Sequence, residues 1–75
     1  METIHLVQAF SRGKRGALVA DKPQQYKTAQ EAERRATRMV ESVAGVLAYA
    51  MEVDEESGEY GAPQVLFTAG EVPEL

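Results

Sequence analysis

Only one stretch of this chain places its apolar residues at the three-and-four spacing of an α-helix. Ala29, Ala32, Ala36, Met39, Val40 and Val43 form that stripe, while Gln30, Glu33, Arg34, Thr37, Arg38 and Glu41 lie on the opposite side. The other segments that could be buried alternate or run as short apolar stretches, which is the pattern of strands. One helix and several strands make two layers, with the helix laid on one face of a sheet. The second face then has no helix to cover it.

The helix carries its own boundary signals. Thr28-Ala29-Gln30-Glu31 fits a capping box, in which Thr28 accepts from the Glu31 amide and the Glu31 side chain reaches back to the Thr28 amide. Glu31 and Arg35 stand four apart in the favourable order. Gly45 suits the position just past a helix C-terminus, so the helix is expected over about residues 29–44. Its stripe begins with alanines and ends with larger side chains, which predicts that the first turns lie closest to the sheet.

Residues 3–11 read as a strand with Ile4, Leu6 and Phe10 on one side and Val7 and Ala9 on the other. Two apolar sides mark a central strand covered on both faces, or one whose register is weakly fixed. Arg12-Gly13-Lys14-Arg15-Gly16 reads as a hairpin loop whose two glycines supply positive φ. Residues 17–21 return as a short strand, which Pro23 ends by withholding a ladder donor. Residues 46–53 alternate, with Leu47, Tyr49, Met51 and Val53 pointing one way and Val46, Ala48 and Ala50 the other. A polar loop over 54–61 leads to a last strand at 64–69, and Pro73 keeps a tail from about residue 70 extended.

With no internal repeat or linker, residues 1–75 are expected to form a single ββαββ domain of the α+β class. A single helical crossing and strand order 2-1-3-4 give a wholly antiparallel four-stranded sheet with its two most apolar strands at the centre. That order is preferred to the mixed order 1-2-3-4.

Seventy-five residues are near the lower limit for a core that stands without staples. The chain has no cysteine, so neither a disulfide nor a thiolate metal site can add stability, and a reducing cytoplasm is the expected compartment. No leader pattern opens the sequence, and no apolar run approaches the ~18 residues of a membrane helix. A soluble protein without cofactor or membrane contact is expected. Self-association remains as a route to extra stability.

Charge is segregated along the chain. All eight Lys and Arg residues lie between Arg12 and Arg38, and with the four acidic residues Glu2, Asp21, Glu31 and Glu33 they give residues 1–38 a formal +4. Residues 39–75 hold eight acidic side chains and no base, a formal −8. A domain built this way has a basic and an acidic part that hold each other or attract a partner.

Three patterns invite a chemical reading. Gly13-Lys14-Arg15-Gly16 matches the Gly-x-x-Gly string with which KH domains clamp a nucleic-acid backbone, but that string joins helices and this one joins strands. Arg12, Lys14 and Arg15 could still meet phosphate, and with Arg34, Arg35 and Arg38 they compose one patch if the helix leans toward the hairpin. A net charge of −4 opposes a polyanion at long range. Asp54-Glu55-Glu56-Ser57-Gly58-Glu59 suggests calcium, yet an EF-hand needs a ligand at its fifth position and Glu at its twelfth, where Gly58 and Val65 stand. His5, the only histidine, has no nucleophile or metal-ligand pattern around it and reads as structural or as an edge residue. Tyr26, Tyr49 and Tyr60 are too scattered for an RNA-stacking platform.

Ser57-Gly-Glu-Tyr-Gly-Ala-Pro63, then Gly70-Glu-Val-Pro-Glu74, both after a capped alanine-rich helix, resemble a group of short uncharacterised bacterial proteins. The resemblance implies the ββαββ pattern and brings no activity and no functional residue. The expected function is therefore a small non-enzymatic module that binds a protein partner, pairing with a second copy through the uncovered sheet face. Nucleic-acid contact through Arg12, Lys14, Arg15, Arg34, Arg35 and Arg38 is the alternative.

Overall fold

The computed structural model of the protein describes residues 2–73. In chain order the elements are β1 (Glu2–Arg12), β2 (Leu18–Ala20), β3 (Gln24–Tyr26), α1 (Ala29–Met39), β4 (Gly45–Val53) and β5 (Gln64–Gly70). The architecture is α+β, one helix on an antiparallel sheet of five strands. The path runs β2-β1-β4-β5, with β3 beside β1.

β3 corrects the expected four strands. The return strand ends at Ala20, ahead of Pro23 as expected, and residues 21–23 form an irregular step before a further strand. β2 pairs Phe10 with Ala20, and β3 resumes the same edge of β1 with Val7 opposite Gln24, one residue out of step. Asp21 bridges the gap by donating its amide to the Ala9 carbonyl at 2.8 Å and accepting from Ser11 Oγ at 3.1 Å. A proline that lacks N–H is tolerated in such a bulge on an edge, where no ladder donor is required of it.

The helix is also shorter than expected. It begins as read: Thr28 is extended and its Oγ1 accepts from the Glu31 amide at 3.1 Å. The return half of the capping box is not formed among the described residues. The helix ends at Met39, where the Val40 amide turns to the Thr37 carbonyl and the Ser42 amide to that of Met39. Val40, placed by its spacing in the buried stripe, is 40% exposed. Gly45 is not a helix terminator but the first, buried residue of β4.

The side on which the helix lies follows from size. Ala32 and Ala36 are fully buried against Val7, Val46 and Ala48, with Tyr26, Met39, Val43, Phe67 and Ala69 packed around them. The helix therefore takes the small side of β4, where methyl-sized side chains let the backbones come close. The bulky set on β4 faces away from it.

In the β1–β2 hairpin only Gly16 of the two glycines has positive φ, at +76°. Gly13 is extended, and Arg15 takes the left-handed position at φ 64° in the 3₁₀ turn Lys14–Gly16. Of the tail, residues 71–73 are described, and Glu74 and Leu75 lie outside the described residues.

Candidate interaction surface

Register defines the face that the helix leaves open. Across β1 and β4, Ile4 stands opposite Met51, Leu6 opposite Tyr49, Gln8 opposite Leu47 and Phe10 opposite Gly45. These pairs alternate with the helix-side pairs Val7–Ala48 and Ala9–Val46. β5 adds Thr68 beside Leu47 and Val65 beside Tyr49, with Leu66 as the extra residue of a bulge. Between Glu2 at one end of β1 and Arg12 at the other, no charged side chain falls on this face of β1 or β4. Ile4, Leu6, Tyr49, Met51 and Val53 are half-buried in the single chain, and Val65 is 51% exposed.

One end of the face is already covered. Phe10 and Leu47 belong to it yet are 5% and 1% exposed. The tail folds over this same end. Gly70, at φ +71°, turns the chain back, and the Glu71 amide donates to the Ala44 carbonyl at 2.9 Å. The Glu71 backbone then fills the space that a Cβ on Gly45 would need. Since Gly45 points to the open face, the tail crosses that face beside Phe10 and Leu47, with Val72 half-buried. The Glu71 carboxylate pairs with the Arg12 guanidinium, which also donates to the Gly16 carbonyl. Tail and hairpin are thereby fastened together.

The six cations singled out in the sequence are divided among three places. Arg12 belongs to the open face and is engaged by Glu71. Lys14 and Arg15 stand exposed at the hairpin tip. Arg34, Arg35 and Arg38 line a shallow concavity of about 260 Å³ on the helix layer with Glu31 and Tyr26. The helix packs on β1, β3, β4 and β5, so it does not lean toward the hairpin as a single patch would require. Tyr26 was not legible as a neighbour of these arginines because its strand, β3, was not.

The acidic loop is organised by its own backbone. Asp54 Oδ1 accepts from the Glu56 amide at 3.0 Å, the Asp54 carbonyl accepts from the Gly58 amide, and Ser57 Oγ accepts from the Glu59 amide. Gly58, at φ +72°, makes the turn. Glu2 lies beside Asp54, Glu55 and Glu56 around one open concavity. A proton shared with the Glu2 carboxylate, and behind it repulsion from that carboxylate, hold the Glu55 carboxyl above its ordinary range. Among the described residues no group of three or more His, Cys, Asp or Glu is arranged to hold a metal ion. His5 is not an edge histidine: it lies between Tyr26 of β3 and Ala50 of β4, and its Nδ1 finds no hydrogen-bond partner among the described residues.

No family model, curated protein or solved structure matches this chain. No described helix is long and apolar enough to cross a membrane.

Proposed function

We propose that the protein is a small non-enzymatic interaction module whose working surface is the open sheet face, engaged by a second copy of the same chain. One observation carries the reading: the helix takes the small side of β4, which leaves Tyr49, Met51 and Val53, with Ile4 and Leu6 of β1, on the uncovered part of the side without a helix. Apolar side chains of that size, continuous over two central strands and free of charge between the strand ends, are what a dry interface is made of. A second copy suits the face because an isologous contact needs only self-complementarity, and an apolar sheet face meets another as two layers of a sandwich.

Pairing through sheet edges fits less well. The β2–β3 edge carries the step at Asp21–Pro23, and β5 carries its bulge at Leu66, both devices that blunt an edge. The nucleic-acid alternative has Tyr26 among three arginines in its favour, and against it the separation of those arginines from the hairpin. The lack of cysteine accords with a reducing cytoplasm, the compartment this reading assigns.

Tyr49→Glu tests the proposal. A charge at the centre of the open face should give a folded monomer, with the wild-type circular dichroism spectrum and half the wild-type mass in solution. A variant that keeps the wild-type mass would remove this face from the interface. Tight, salt-sensitive binding of single-stranded or duplex nucleic acid by wild type, lost in Arg34→Glu, would favour the alternative.

A further inference from the structure

The open face has polarity along its strands, and that polarity selects one way of pairing. At one end stand Glu2, paired with Val53, and the loop that follows Val53 with Asp54, Glu55, Glu56 and Glu59. Lys27 shares a concavity with Glu2 at this end. At the other end are Arg12, the exposed tip residues Lys14 and Arg15, and the tail crossing at Gly45, whose Glu71 is neutralised by Arg12. β1 runs the whole way between them, and its 11 residues span about 36 Å at ~3.3 Å each. The molecule's long axis is 42 Å.

We infer that two copies stack face to face with their strands antiparallel, about a two-fold axis that lies in the interface and crosses the strands. The inference rests on the self-association proposed above and adds its geometry. A two-fold axis along the strands would set acidic loop against acidic loop and basic tip against basic tip. It would also bring the two tails together at one end and hold the faces apart at the other. An axis across the strands removes both conflicts. The acidic loop of each copy then meets the Lys14–Arg15 tip of its partner, and each tail rests against the partner's uncovered end near Ile4, Met51 and Val53. Opposite charges at the rim set orientation and register more than affinity, while the apolar middle, Leu6 and Tyr49, supplies the buried area. The result is a four-layer sandwich with α1 outermost on both sides.

The absence of cysteine makes the test clean, since a single introduced thiol is the only labelling site. Spin labels on Ser57→Cys, in the acidic loop, report the separation of the two loops across the pair by pulsed electron resonance. The antiparallel stack predicts a distance above about 35 Å, set by the length of β1. A distance below about 20 Å, the range set by sheets stacked ~10 Å apart with like ends together, overturns the orientation and leaves the open-face pairing standing. A label signal with no intermolecular coupling at any concentration overturns the self-association itself. As a second readout, Lys14→Glu with Arg15→Glu should weaken pairing by about tenfold at low salt and restore it when mixed with Glu55→Lys with Glu56→Lys. Unchanged pairing in both single-sided variants counts against the antiparallel arrangement.

Discussion

The backbone of Glu71 occupies the place where a side chain on Gly45 would stand. Glycine at position 45 is thus a requirement of the tail crossing, not of the helix end. Gly45→Ala should destabilise the fold by about 1–3 kcal/mol through overpacking, because the nearest atoms are backbone and cannot swing aside. Urea denaturation gives the difference directly. An unchanged midpoint with an unchanged m-value would mean that the tail does not lie against β4.

Ala32 and Ala36 are fully buried where the helix meets Val46 and Ala48. Ala36→Leu adds three carbons at the closest approach and should cost about 1–3 kcal/mol. The same change at Thr37, on the exposed side, should be nearly neutral apart from loss of the Thr37 hydroxyl bond to the Glu33 carbonyl. Equal losses at both positions would place the helix on a different face.

Thr28 caps α1 alone, since Glu31 returns no bond. Thr28→Ala should cost about 0.5–2 kcal/mol. Glu31→Gln should cost less than Thr28→Ala, because it removes only the interactions of an exposed charge with the helix N-terminus and with Arg35. The order of the two midpoints in thermal unfolding decides the matter.

Much of this fold was legible in the sequence because two periodicities differ so clearly. The helical stripe from Ala29 and the alternation from Val46 placed α1 and β4 and gave a wholly antiparallel sheet. β3 was not legible: Gln24-Gln25-Tyr26 has no apolar run, and it forms a strand because β1 offers it an unfilled edge. Gly45 misled for a related reason. A glycine after a helical stripe suits a helix end and a close backbone crossing equally, and only the position of Glu71 separates the two. Which side of β4 meets the helix was likewise open in the sequence, since burial alone favours the bulky set inward while the alanine stripe favours close approach on the small side. The six cations could be named but not assembled, because their arrangement depends on where the helix lies over the sheet.

Glu55 gives a pH signature. Its carboxyl is held above the ordinary range in the folded protein, so the folded state binds more protons than the unfolded one between the ordinary value, 4.5, and the raised one. The associated stability is present below that window and lost as pH rises through it. Glu55→Gln should therefore raise the melting temperature relative to wild type near neutral pH and lose that advantage at about pH 4. The effect is small, since the carboxyl is exposed. A variant whose advantage is greatest at acid pH would reverse the assignment of Glu2 as the cause.

Sedimentation equilibrium of the unmodified protein from micromolar to millimolar concentration tests the central claim most directly. One chain is 8.2 kDa. Pairing through the open face predicts a mass that rises with concentration to that of two chains and goes no higher, because an isologous contact closes on itself. A mass of one chain throughout the range, or a mass that keeps rising past two, would contradict it.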